Sequence, residues 1–173
     1  DALHLGKFDP TLEGLQVVAC HEEPESYREY GTEFRDAATG RLLWGIPGNG
    51  EDVGRCMVAD IDPDTPGCEV WASATGGRLY SCKGELLAKS APMIRTDSYT
   101  YNMGIWWDGS LNRQMIDANM VLGYIGDDGS YTSSPKRIFQ GSNYGVVPIN
   151  GSKKTPCVYA DIWGDWREEM IYV

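Results

Sequence analysis

The chain has 173 residues and sets 15 Lys and Arg against 25 Asp and Glu, for a formal net charge of −10. That acidic balance argues against non-specific nucleic-acid binding, which depends on protein cations displacing the counterions of phosphates. No run reaches the roughly 20 apolar residues of a membrane helix, and the five cysteines (Cys20, Cys56, Cys68, Cys82, Cys157) form no CxxC pair, which argues against zinc.

From the start, "LGKFDPTLEGLQVVAC" (Leu5 to Cys20) reads as a Pro- and Gly-bearing turn followed by a β-branched strand. His4 precedes it and His21-Glu22-Glu23 follows it. Histidine beside carboxylates is a combination that ligates cations or moves protons near neutral pH. Next, "EFRDAATGRLLWGI" has strand, Gly-bearing turn and strand, which predicts a hairpin. "DVGRCMVADIDPDTPGCEVWAS" (Asp52 to Ser73) then leads from Arg55 into an acidic loop where Asp60, Asp62 and Asp64 alternate and Glu69 opens the next apolar run. Alternating carboxylates on an extended loop are the hard oxygen donors that Ca²⁺ takes, six to eight at a time. "SATGGRLYSCKGELLAKS" predicts a second hairpin, and "SLNRQMIDANMV" (Ser110 to Val121) fits a helix or a strand and turn equally well. In "VPINGSKKTPC" (Val147 to Cys157), Asn150, Gly151 and Ser152 form a turn whose amide, backbone N–H and hydroxyl match the needs of a sugar ring. Lys153 and Lys154 add two cations there. The last segment, "YADIWGDWREEMIYV", carries Asp161, Asp165 and Glu169. The start at Asp1 without Met and the strand-like end read as a piece of a longer protein.

These segments repeat. Asp62-Pro63 stands 53 positions after Asp9-Pro10, and Gly67 and Val70 keep the same offset from Gly14 and Val17. Asp161 stands 101 positions after Asp60, with a degenerate copy around Asp108 between them. One unit is an acidic loop, an apolar strand and a hairpin, over roughly 45–50 residues, the period of a four-stranded β-propeller blade. The fold class predicted is all-β, with about three to four such blades. The first loop is the weaker copy: Lys7 replaces Asp60 and Gln16 replaces Glu69, so a cation there would draw on Asp9, His4 or Glu22. Most of the cysteines read as small buried hydrophobes, with one disulfide open among the five. No GxSxG, P-loop or dinucleotide fingerprint is present.

"DVGRCMVADIDPDTPGCEVWAS", "GIWWDGSLNRQMID" and "NGSKKTPCVYADIWGDWREEMIYV" resemble the family eleven rhamnogalacturonan lyases, from His4 to Val173. The resemblance implies an eight-bladed β-propeller with many Ca²⁺ ions, of which this chain supplies later blades. It implies cleavage of rhamnogalacturonan I, a pectic polysaccharide, by β-elimination. Asn150, Gly151 and Ser152 fall on the family's saccharide-contacting Asn-Gly-Thr motif, with Ser in place of Thr. Lys153 and Arg55 are the expected catalytic groups. The expected metal ligands are Asp60, Asp62, Asp64, Glu69, Asp161, Asp165 and Glu169, with Asp9, His4 and Glu22 at the first loop. Lys7 stands where the family favours Asp, against a metal at that loop. A secreted or periplasmic monomer is expected, with no nucleic-acid or membrane partner. The competing reading is a non-catalytic Ca²⁺-dependent propeller that binds polysaccharide or protein. "DAATGRLLW" also suits a quinone-dependent propeller, although that hairpin carries no cofactor chemistry of its own.

Overall fold

The computed structural model of the chain describes residues 2–25, 29–73, 76–95, 98–99 and 103–173. Ala74 and Thr75, in the second expected hairpin, lie outside them. The described residues contain no α-helix, and their strands pair antiparallel throughout. Three sheets have four strands each: β1 (Ala2–Gly6) to β4 (Leu42–Pro47), β5 (Cys56–Ala59) to β8 (Leu86–Ser90), and β11 (Met103–Ile105) to β14 (Tyr131–Gln140). In each the spatial order equals the chain order, so every strand pairs with its sequence neighbours. Two shorter pairs complete the pattern, β9 (Met93–Arg95) with β10 (Ser98–Tyr99) and β15 (Val158–Ala160) with β16 (Glu169–Ile171). The ambiguous segment from Ser110 resolves as strand, not helix. β12 (Gln114–Asp117) turns at Ala118, which has a positive φ of 54°, and returns as β13 (Met120–Ile125).

The chain divides into two compact units, Asp1–Asp60 with Asp64–Ala91, and Ile61–Pro63 with Pro92–Val173. In the first, β2 (Gln16–Cys20) alternates buried and half-buried residues, the period of two that a pleated strand imposes. β5 and β6 (Glu69–Ala72) are buried at every position, so both of their faces are covered. Val18, Phe34, Val58 and Val70 form the core between the sheets, with Trp44 and Tyr80 packed against it. Phe34 stacks on Trp44 at 5.1 Å between ring centroids, and the Trp44 indole N–H donates to the Cys82 carbonyl at 2.9 Å. That bond satisfies the one polar atom of a large ring otherwise useful only for its apolar area. In the second unit Ile105, Ile116 and Val121 form the core, and Trp107, Phe139 and Met170 pack on it.

Hairpin tips explain why the strands end where they do. Between β3 (Tyr30–Asp36) and β4, the Asp36 carboxylate accepts the N–H and hydroxyl of Thr39 at 2.8 and 2.6 Å. Between β13 and β14, Asp128 does the same for Ser130 at 3.0 and 2.7 Å. Between β7 (Arg78–Tyr80) and β8, the Ser81 hydroxyl accepts the N–H groups of Lys83 and Glu85. Short polar side chains thus take over backbone groups that the ladder leaves behind.

Candidate functional site

The repeated loops share a device that the acidic pattern only half disclosed. In the first, the Gln16 side-chain oxygen accepts the N–H of Phe8 and of Asp9, at 2.9 and 3.1 Å. In the third, the Gln114 oxygen accepts the N–H of Trp107 and Asp108, at 2.9 and 3.0 Å. In the last, one Glu169 oxygen accepts the N–H of Ile162 and Trp163, at 2.8 and 3.3 Å. In these three loops the residue that opens the inner strand is therefore a clamp on two successive loop amides. An amide oxygen serves as well as a carboxylate, so Gln16 and Gln114 fill the role that Glu169 fills in the last loop. Gln adds a hydrogen-bond donor: Gln114 Nε2 reaches the Asn112 carbonyl at 2.9 Å and the Ser110 hydroxyl at 3.0 Å.

The loop aspartates are committed locally as well. Asp9, 4 % exposed, accepts the Thr11 N–H and hydroxyl at 2.8 and 2.6 Å. Burial pushes its carboxyl up, but the Thr11 bonds, with Lys83 and Lys7 nearby, outweigh that and hold it below the ordinary value. Asp161 accepts the N–H groups of Gly164, Asp165 and Trp166, and Asp165 accepts that of Arg167. Asp64 is exposed and pairs with Lys89 at 3.1 Å. Asp60 is half-buried, while Asp62 and Glu69 are wholly buried. The His4 ring bonds through Nε2 to the Cys56 carbonyl at 3.0 Å, and burial lowers its pKa below the usual imidazole value. Glu22 is exposed and lies against Gly54. Among the described residues no three Asp, Glu, His or Cys side chains converge in a way that could hold a metal ion. Asp9, Asp161, Asp165 and Glu169 are thus engaged with local N–H groups of their own loops.

The sugar-type turn is presented differently. Ile149 and Thr155 exchange both backbone hydrogen bonds, at 2.9 and 3.0 Å, and close a loop of the five residues between them. Inside it Asn150 and Lys154 have positive φ, 66° and 54°, and the Lys153 N–H donates to the Asn150 carbonyl at 2.9 Å. Non-Gly residues in the left-handed region are uncommon and cluster where a loop is shaped for a purpose. Asn150, Gly151, Ser152 and Lys153 are all exposed. Asn150 lines one side of an open hollow of about 620 Å³, with Met103, Thr155 and Tyr159. Arg55, in the other compact unit, is half-buried just before β5, and its carbonyl accepts the Ser73 N–H at 2.9 Å.

A second hollow, of about 380 Å³, lies in the unit that holds Asn150 and was not foreseen from the motifs. Trp107, Phe139, Tyr144, Arg167, Glu168 and Tyr172 line it. Phe139 stacks on Tyr144 at 5.5 Å and meets Trp107 at 5.5 Å. The Arg167 guanidinium sits 5.2 Å from the Trp166 ring and 5.8 Å from Trp107. Burial pushes the Tyr172 hydroxyl up to about 12, with Asp117 contributing, so it stays protonated and donates to the Ala118 carbonyl at 3.0 Å. Stacking rings beside a guanidinium are the groups that hold a sugar face and its carboxylate. Individual aromatics in the sequence gave no sign of this, because the contributors are spread over 66 positions, from Trp107 to Tyr172.

Residues 1–173 match the C-terminal domain of rhamnogalacturonan lyase family 11. The rhamnogalacturonan endolyase YesW of Bacillus subtilis (strain 168) is 44% identical over 172 residues, covering 99% of this chain and 25% of that protein. The rhamnogalacturonan exolyase YesX of the same organism is 39% identical over 183 residues, covering 99% of this chain and 28% of that protein. Among solved structures, the crystal structure of YesW superposes with a TM-score of 0.83 over 99% of this chain and 26% of that one. The Bacillus licheniformis rhamnogalacturonan lyase PL11 also gives 0.83, at 41% identity, over 99% of this chain and 26% of that one. The chain thus spans about a quarter of the length of the curated relatives it matches.

Proposed function

Because this chain belongs to rhamnogalacturonan lyase family 11, we propose that it is the part of a pectin-degrading lyase that carries saccharide contacts and the base for β-elimination. The observation that carries the reading is the exposed loop from Asn150 to Lys154, closed by the Ile149–Thr155 bridge, which offers an amide, a hydroxyl and two lysine amino groups together. In β-elimination the proton on C5 of galacturonate is removed, a double bond forms between C4 and C5, and the C4–O bond to the rhamnose unit breaks. The departing oxygen takes up a proton, leaving an unsaturated uronate on one fragment. The substrate's own carboxylate opposes the negative charge that develops at C5, so a nearby cation lowers the barrier. In this reading Lys153 takes the C5 proton as general base. Asn150 and Ser152 hold the ring by its hydroxyls. Arg55, in the other compact unit, carries a guanidinium, a group of the kind that pairs with a carboxylate.

The three four-stranded meanders support placing the sheets as blades of a larger propeller in the complete protein. A polymeric substrate supports work outside the cytoplasm. Calcium dependence belongs to the same reading on the strength of the family resemblance, with Asp60, Asp62 and Asp64 as the residues that would hold the ion. A second reading, a saccharide-binding part without its own chemistry, is favoured by the hollow around Trp107, Tyr144 and Arg167, which sets stacking surface beside a guanidinium.

The test is incubation of the complete protein with rhamnogalacturonan I, with and without a chelator, following the ultraviolet absorbance of the unsaturated product. Lys153→Ala is expected to lower kcat about a hundredfold or more. Near-normal turnover would remove Lys153 from the chemistry, and no product from the wild type would leave the binding reading. Activity and melting temperature that ignore the chelator would remove calcium.

A further inference from the structure

Cys20 is the last residue of β2 and Cys56 the first of β5, in different sheets of one compact unit. They are 2 % and 0 % exposed. Both sulfurs face the same acceptor, the Ala2 carbonyl oxygen, at 3.8 Å from Cys20 and 4.0 Å from Cys56. The backbone around them is fixed on both sides. Cys20 pairs with Ala2 and with Thr32 in its sheet, Cys56 pairs with Ala72, and the Cys56 carbonyl is held by the His4 ring at 3.0 Å. The Cys82 thiol faces the Pro66 carbonyl at 3.5 Å, and Cys157 lies exposed in the other unit.

We propose that Cys20 and Cys56 are a redox pair that closes into a disulfide between the β1–β4 and β5–β8 sheets when the protein meets a disulfide oxidant. Two sulfurs that converge on one buried carbonyl oxygen from neighbouring sheets are placed for side-chain rotation to bring them to the bonding distance of about 2.05 Å. The pair is also electronically sorted: the hydrogen bond from Cys56 favours the thiolate at Cys20, and the same bond keeps Cys56 protonated. Cys20 is therefore the attacking sulfur, since the thiolate is the nucleophile. Its thiolate attacks one sulfur of the oxidant, whose S–S bond breaks and whose other sulfur leaves and takes up a proton. Cys56 then loses its proton and attacks the Cys20 sulfur of the mixed disulfide, expelling the second thiol. Two protein thiols become one disulfide, and one oxidant disulfide becomes two thiols. Burial restricts oxidant access to folding or local opening, and it shields the finished bond from reductants.

The bond would tie residues 36 positions apart, a loop long enough for cross-linking to restrict the unfolded chain strongly. The experiment incubates the complete protein with oxidised glutathione at a urea concentration that permits local opening, then removes the urea, alkylates, digests without reduction and maps peptides by mass spectrometry. The expected result is a peptide pair joined through Cys20 and Cys56, with a melting temperature higher by about 5 °C or more that dithiothreitol abolishes. Cys68→Ser keeps the linked pair, and Cys56→Ser loses it. Separate alkylation of Cys20 and Cys56, or linkage of either to a different cysteine, would overturn the proposal from the wild-type map alone.

Discussion

Replacing Gln114 by alanine tests the loop clamp where it is most completely formed. The side chain is 2 % exposed and takes part in four hydrogen bonds, accepting from Trp107 and Asp108 and donating to Ser110 and Asn112. Each such bond contributes about 1 kcal/mol net, and a buried backbone group left without its partner costs about 1–3 kcal/mol. Two amides lose their acceptor together, but water can enter a loop whose neighbour Ser110 is exposed, so the expected loss is about 2–4 kcal/mol. Gln114→Glu keeps the acceptor oxygen, as Glu169 does in the last loop, and loses only the donor side. It should cost about half as much. Urea unfolding of the complete protein reads both values as midpoint shifts at constant slope. The reasoning fails if the alanine variant lies within about 0.5 kcal/mol of wild type, or if the glutamate variant is as damaged as the alanine one.

Two further predictions rest on single positions in the first unit. Gly67 has φ +91°, and a Cβ there would lie 2.6 Å from the Cys82 sulfur and 2.8 Å from the Phe8 carbonyl oxygen. Gly67→Ala should therefore cost about 3 kcal/mol by urea unfolding, against about 1 kcal/mol for Gly40→Ala, where φ is also positive but the space is open. Asp9 has a folded-state pKa below its unfolded value, so its contribution is present above about pH 4 and disappears as pH falls through the folded-state pKa. Asp9→Asn keeps an acceptor for Thr11 and removes the charge. It should be less stable than wild type by about 1 kcal/mol near neutral pH, and melting curves should converge in acid. A difference that stays constant with pH would refute the assignment.

The strands were legible because their signals are local. "GLQVVAC", "RLLWGI" and "CEVWAS" hold β-branched and aromatic residues between Gly and Pro turns, and each proved to contain a strand. The repeat was legible through Asp-Pro and the spacing to the next strand. What the repeat does was not, because charge was taken as the common property of the strand-opening residue. The property shared by Gln16, Gln114 and Glu169 is a carbonyl-type oxygen placed one loop away from two amides. Asn150 to Lys153 was recognisable as a turn from Asn-Gly-Ser. Its closure by Ile149 and Thr155 needed backbone geometry that composition does not carry. The Arg167 hollow and the convergence of Cys20 and Cys56 on the Ala2 carbonyl were invisible for a plainer reason: both depend on residues brought together from distant segments, and no period in the sequence marks the partners.

The neighbour-to-neighbour strand order has a consequence for how the protein is made. Each four-stranded sheet is completed within one uninterrupted stretch of chain, so its pairings close short loops, the feature that speeds folding among β proteins. During synthesis the β1–β4 sheet has all its strands in hand once Pro47 has emerged, before the first residue of β5 is available to it. The early sheet can thus pair internally as the chain is made, and unpaired strands wait for partners only as long as their own hairpins take to appear. A lineage that duplicated such a stretch would add a unit already able to pair its own backbone, and only the contacts between sheets would remain to be refined.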